Sequence, residues 1–99
     1  MTITPIKNGT ALTLKLEGRL DTITAPELEA KLKTDLDGIE SLVFDLSALD
    51  YISSAGLRVL LSAQKRMNLQ GEMKITGASD IILEIFEVTG FTDILTLED

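Results

Sequence analysis

The six residues Ser41-Leu42-Val43-Phe44-Asp45-Leu46 constrain this chain most. They are mostly apolar, do not alternate, and lie between two stretches whose apolar residues recur at helical spacing. A strand buried on both faces, as in the middle of a parallel sheet, reads this way. Upstream, Leu28, Leu32 and Leu36 repeat every four residues and form one apolar stripe. Thr24 is placed to cap that helix, Glu27 completes a capping box three residues on, and Pro26 is tolerated in the first turn. Gly38 follows, where a left-handed residue ends a helix. Downstream, residues 47–52 read as a loop, and a second helix opens near Ser53 or Ser54. Leu57, Leu60, Leu61 and Met67 face inward on it, Lys65, Arg66 and Asn68 face outward, and Gly71 follows its end.

The flanks extend the same alternation. Residues 3–6 form a short apolar segment, and Asn8-Gly9 is a strong two-residue hairpin signal. Leu12, Leu14 and Leu16 then alternate with Thr13, Lys15 and Glu17, the period of a strand with one buried face. Residues 18–23 break that pattern. After the second helix, residues 73–75 make a short strand. Ser79 caps a third helix with Ile82, Leu83 and Phe86 on its core face, ending before Gly90. Phe91 folds back onto that helix, and residues 94–97 form a last short strand or turn. Strands alternating with helices imply right-handed crossovers and parallel pairing. The expected fold is α/β: a mixed, mostly parallel sheet opening with a β-hairpin, helices packed against it, in a single domain over residues 1–99.

Composition removes whole classes of function. Asp and Glu number 16 against 9 Lys and Arg, a net charge of −7. That balance opposes direct nucleic acid binding, which needs clustered cations, and suits solubility or a basic partner surface. The chain has no His and no Cys. A Ser-His-Asp triad, a zinc site of His and Cys ligands, thiolate chemistry and a disulfide framework therefore cannot be built. Asp45 and Asp50 do not make a phospho-aspartate receiver pocket, which needs adjacent acids after the first strand. The N-terminus lacks a basic segment followed by an apolar run, and no apolar stretch approaches the roughly 20 residues that span a bilayer. The expectation is a cytoplasmic protein without membrane insertion, catalytic residues, cofactor or metal.

Sites in α/β sheets gather in loops after the carboxyl ends of strands. Two such loops are polar here: Gly18-Arg19-Leu20-Asp21-Thr22 and Asp50-Tyr51-Ile52-Ser53-Ser54-Ala55-Gly56. In the second, small residues lead straight into a helix, whose N-terminus offers unpaired amides and partial positive charge. Ser53 and Ser54 serve equally well as helix caps by spacing alone. Asp21 orients a neighbouring hydroxyl, contacts a partner, or builds the turn. Arg58 pairs with a phosphate or is solvated, and Tyr51 and Ile52 enter the core.

The run Asp45-Leu46-Ser47-Ala48-Leu49-Asp50-Tyr51-Ile52-Ser53-Ser54-Ala55-Gly56-Leu57-Arg58-Val59-Leu60 resembles the signature of the STAS domain, the family that contains the bacterial anti-sigma factor antagonists. Leu16-Glu17-Gly18-Arg19-Leu20-Asp21 is similar to its "G-x-L-D" element, and Gly71-Glu72-Met73 and Thr89-Gly90-Phe91 extend the likeness over nearly the whole chain. The resemblance implies a regulator that binds an anti-sigma factor serine kinase and thereby frees a sigma factor. The kinase phosphorylates the serine two residues before the motif glycine, here Ser54, and a PP2C-type phosphatase restores it. Asp21 matches the family's acidic residue near the acceptor. Asp21, Thr22, Ser53, Ala55, Gly56, Leu57 and Arg58 are the implied partner-binding residues. Where many antagonists carry "Asp-Ser-Ser-Gly" or "Asp-Ser-Thr-Gly", this chain has Ser53 in place of the acid and Ala55 in place of the second hydroxyl, so Ser53 competes as acceptor. The alternative within the resemblance is a non-catalytic STAS subunit of another assembly, such as a lipid-transport ABC complex.

Overall fold

The computed structural model describes residues 1–98. Its elements in chain order are strand β1 (Thr2–Asn8), β2 (Ala11–Leu20), helix α1 (Ala25–Asp35), β3 (Ser41–Ile52), α2 (Ser54–Gln70), β4 (Glu72–Thr76), α3 (Asp80–Val88), a 3-10 turn (Phe91–Asp93) and β5 (Leu97–Glu98). The strands form one sheet in the order β1-β2-β3-β4-β5. β1 and β2 are antiparallel and every later pair is parallel. The hairpin thus opens a mostly parallel sheet, as expected. Its closing pair is Asn8 with Ala11, so the turn residues are Gly9-Thr10 rather than Asn8-Gly9. Gly9, with φ 63°, supplies the positive backbone angle.

Each new parallel strand is added on the same side of the last one. Right-handed crossovers repeated in one direction put every helix on the same face of the sheet. The core follows that geometry: Leu12, Leu14, Leu42, Phe44, Met73 and Ile75 pack with Leu28, Leu32, Leu60, Met67, Ile82 and Phe86 in one cluster. The sheet's other face stays open. β3 accordingly alternates, with Leu42, Phe44 and Leu46 buried and Val43 and Asp45 half-buried, so the expectation of a strand buried on both faces is overturned.

The loop expected over residues 47–52 is also corrected, because β3 runs on to Ile52 and β2 to Leu20. Lys15 pairs with Asp45 but Glu17 with Ala48, and Gly18 pairs with Leu49 but Arg19 with Tyr51. At each shift β3 carries one residue more than β2. These two bulges absorb the polar residues that look like a loop. They also change the spacing of buried positions from two (Leu42, Phe44, Leu46) to three (Leu46, Leu49, Ile52). The Asp45 carboxylate accepts from Ser47 N at 2.9 Å and stabilises the first bulge.

Side chains near the helix ends complete the frame. Arg66 is not the outward surface residue expected. Its guanidinium donates to the Leu32 and Lys33 carbonyls at 3.3 and 3.5 Å and to Asp37 Oδ1 at 2.6 Å. Gln70 Nε2 donates to Leu36 O and Ile39 O, both at 2.7 Å. α2 thereby ties down the end of α1 and the turn that follows it, adding side-chain donors to carbonyls of which Leu32 O and Leu36 O already accept backbone amides. In α3, Ser79 Oγ accepts from Ile82 N at 3.3 Å as the expected cap. Ile82 and Phe86 are buried, but Leu83 is turned toward solvent rather than into the core. Phe91 packs half-buried against the core, and Tyr51 lies half-buried under Arg19, whose Cζ is 4.5 Å from the ring centre, rather than in the core. Ile52 is buried as expected.

Candidate functional site

The two polar loops meet at the carboxyl ends of β2 and β3. Ser53 N donates to Leu20 O at 2.9 Å, which continues the β2–β3 pairing right up to the helix. Ser53 is extended (φ −97°, ψ 175°) and its Oγ accepts from Gly56 N at 3.4 Å, so Ser53 is the cap of α2. Ser54 is then the first helical residue and is exposed. The two serines, equivalent by spacing, have different surroundings: one hydroxyl is held by the backbone and the other faces solvent.

Gly56 shows why the first turn of α2 needs a residue without a side chain. A Cβ there would lie 2.7 Å from Leu20 Cγ, 2.8 Å from Ile52 Cγ1 and 3.0 Å from Leu20 O. Gly56 and Leu57 are buried, so they seat the helix against the sheet behind the surface. Thr22, Ser54 and Arg58 are exposed at the surface, while Asp21, Ser53 and Ala55 are half-buried. A cleft of about 270 Å³ between the two loops is lined by Thr22, Ala25, Pro26, Glu29, Ala55, Arg58 and Val59.

Asp21 is the centre of the first loop. Its Oδ1 accepts from Ile23 N at 3.0 Å and from Thr24 N at 3.1 Å. Thr24 Oγ1 accepts from Asp21 N at 2.9 Å and has Arg19 O at 2.8 Å and Asp21 Oδ1 at 3.2 Å within reach of its single proton. The capping box expected from Thr24 and Glu27 does not form, because the Thr24 hydroxyl is taken up by this turn. Hydrogen bonding from the Thr24 amide, joined by the Ile23 amide and the charge of Arg19, holds the Asp21 carboxyl below its ordinary value of 3.8 against the opposing effect of burial.

A carboxyl whose folded-state pKa lies below its unfolded value stabilises the fold fully above the unfolded value. That contribution disappears as pH falls below 3.8 through the folded value. The amide resonances of Ile23 and Thr24 should therefore titrate in NMR spectra with a midpoint below 3.8. The same titration should be absent in Asp21→Asn. A midpoint at or above 3.8 would contradict this geometry.

Among the described residues no group of three His, Cys, Asp or Glu could hold a metal, and no helix is long and apolar enough to cross a membrane. The sheet order never reverses, so there is no crevice of the kind that holds nucleotides at a switch point. What these two loops present is an exposed hydroxyl, Ser54, beside a shallow cleft lined by Thr22, Ala55 and Arg58.

A sheet of this order with a capped serine pair at the β3–α2 junction is that of a STAS domain. The STAS domain family model matches residues 2–99, and the chain belongs to that family. Curated proteins named as anti-sigma factor antagonists are among its relatives. It is 42% identical over 81 residues to the candidate antagonist BtrV of Bordetella bronchiseptica, covering 80% of this chain and 70% of that protein. It is 34% identical over 88 residues to the anti-sigma-B factor antagonist of Staphylococcus aureus, covering 87% of this chain and 82% of that one. The Bacillus cell fate determinant SpoIIAA in its phosphorylated form superposes with a TM-score of 0.76 at 15% identity, over 99% of this chain and 92% of its own, a likeness of fold.

The serine pair and the Asp21 loop, both candidates from the sequence, lie side by side, while Ile23, 87% exposed between Thr22 and Thr24, was not among the named candidates. In the sequence Ile23 falls within residues 18–23, which only break the strand alternation. Nothing in its local pattern signals that the turn holds it outward.

Proposed function

We propose that this chain is an anti-sigma factor antagonist that docks to an anti-sigma factor serine kinase through the Asp21–Thr22 loop and the start of α2, and that phosphorylation of Ser54 releases it. The observation that carries the reading is the contrast within the serine pair. Ser54 offers an exposed hydroxyl on the first turn of α2, while the Ser53 hydroxyl is engaged in capping. The curated relatives carry the antagonist name, and SpoIIAA, of the same fold, has been solved phosphorylated.

The chemistry asks little of the chain itself. Ser54 Oγ attacks the γ-phosphorus of ATP bound by the kinase, ADP leaves, and the hydroxyl proton passes to a base of the kinase. A PP2C-type phosphatase hydrolyses the ester and restores docking. The first turn of α2 contains no acidic residue and Arg58 lies one turn on from Ser54, so the helix accommodates the new anion.

Incubation with the kinase and ATP, followed by mass spectrometry, tests the assignment. One phosphate is expected on Ser54, and none in Ser54→Ala. Phosphate on Ser53, or persisting in Ser54→Ala, would overturn it. A chain that no anti-sigma factor kinase binds or modifies would instead belong to a structural STAS assembly.

A further inference from the structure

The turn between β2 and α1 is more heavily cross-linked than a surface connection requires. Asp21 Oδ1 takes two backbone amides, Ala25 N donates to Asp21 O at 2.8 Å, and Thr24 Oγ1 ties the turn back to β2. Arg19 completes the brace, with Nε 3.7 Å from Asp21 Oδ2 and its guanidinium over Tyr51. At the apex of this frame stands Ile23, 87% exposed. Isoleucine is among the residues most often found inside proteins.

A lone exposed apolar side chain needs no special account. Leu69 is one: it is 90% exposed at the last turn of α2, between the polar Asn68 and Gln70. Ile23 differs in two respects. It adjoins Thr22, which lines a cleft together with Ala55 and Arg58, and Ser54 immediately precedes Ala55 on the first turn of α2. It is also held by a turn whose order exists before any partner arrives, and a preorganised anchor loses less freedom on binding than a mobile one. Anchors of this kind, buried in a partner's pocket, dominate interface energetics.

We propose that Ile23 is the anchor that inserts into an apolar pocket of the anti-sigma factor, and that Asp21 acts on docking as a positioning residue that holds Ile23 outward. The inference rests on the function proposed above. It moves the role of Asp21 from touching the partner, or its acceptor serine, to building the turn. One carboxylate oxygen already accepts the Ile23 and Thr24 amides, and the other lies 3.7 Å from Arg19 Nε.

The test uses the full chain and the kinase that phosphorylates Ser54. Ile23→Ala should unfold at the wild-type temperature, because the side chain touches little of the core. It should bind that kinase about tenfold or more weakly, the scale of burying one such side chain. Its phosphorylation should show a raised KM with kcat unchanged, the signature of lost uniform binding. Leu69→Ala, equally exposed but away from the site, should behave as wild type. Asp21→Ala should weaken binding like Ile23→Ala, whereas Asp21→Asn keeps an acceptor oxygen and should retain affinity within about threefold. Wild-type affinity in Ile23→Ala, or an equal loss in Leu69→Ala, would overturn the anchor. Loss of binding in Asp21→Asn with the Ile23 and Thr24 amide shifts unchanged would show that the Asp21 charge itself meets the partner. Absence of any kinase that binds the wild-type chain would sink the function reading instead, and is distinguishable because every variant then behaves alike.

Discussion

Gly71→Ala is expected to destabilise the domain by about 3 kcal/mol or more, at the upper end of what over-packing produces. An alanine Cβ at this position would overlap Glu40 O and sit 2.6 Å from Glu40 C and 2.8 Å from Glu40 Cα. Gly71 has φ 170°, an extended value open to any residue, so close approach and not backbone strain requires the glycine. The obstacle is backbone held from several sides. Glu40 N donates to Thr10 O at 2.9 Å, Glu40 O accepts from Glu72 N at 2.9 Å, and Gly71 N donates to Met67 O at 2.7 Å. Relief would displace the first residues of β3 or β4, which pair as Ser41 with Glu72.

At about 4–8 °C per kcal/mol for a domain of this size, the melting temperature should fall by roughly 12 °C or more. Gly38→Ala is the control. Gly38 has φ 76° with nothing within 4 Å of its would-be Cβ, so only backbone strain is at stake, on the order of 1 kcal/mol. Thermal unfolding followed by circular dichroism measures both. A Gly71→Ala melting temperature within about 4 °C of wild type would mean that the α2–β4 junction is not packed as described. The folded fraction should still bind the partner normally, because Ser54 and Gly71 sit at opposite ends of a helix of 17 residues, roughly 25 Å apart.

Gly71 illustrates what is local in this fold and what is not. Its place after α2 was legible because a glycine after an amphipathic stretch ends a helix. The contact with Glu40 that demands it joins segments about thirty residues apart and leaves no local mark. Caps behave similarly. Ser79 and its α3 cap were readable because donor and acceptor are three residues apart. The Thr24 cap was readable too, yet did not form, because Asp21 and Arg19 compete for the same hydroxyl.

The largest misreading, residues 47–52 as a loop, has a pairing cause. Two bulges displace Ser47 and Asp50 from the alternation, and only the partner strand shows that Leu46, Leu49 and Ile52 still share a face. The candidate site divides along the same line. Ser54 and Asp21 stand within short motifs and could be named as candidates from the sequence. Ile23 owes its exposure to a network anchored in β2 and α1, and was not named.

Phosphorylation of Ser54 is expected to abolish docking while leaving the fold almost untouched. The modification adds roughly −1.5 to −2 charges to the first turn of α2. There the unpaired amides and the helix dipole favour an anion by about 0.3–1 kcal/mol when exposed. Ser54 is exposed, no acid stands in the first turn, and Arg58 is within one turn. Asp21 opposes the new charge from the neighbouring loop, but its own charge is already shared with Arg19 and two backbone amides. The folded state alone therefore loses little.

In the complex proposed above, the same phosphate would be pressed against the partner and stripped of water. A charge left buried and unpaired there typically costs about 2–5 kcal/mol. Ser54→Asp should melt within about 4–8 °C of wild type, the shift that corresponds to about 1 kcal/mol. It should also lose at least tenfold in affinity for the kinase, about 1.4 kcal/mol. The phosphorylated chain, with its larger charge, should lose more, and calorimetry on both forms measures the difference. A large drop in melting temperature with matching loss of helical signal would show that the switch acts by melting the start of α2. Equal affinity of the phosphorylated and unmodified chains would place the docking surface away from Ser54 altogether.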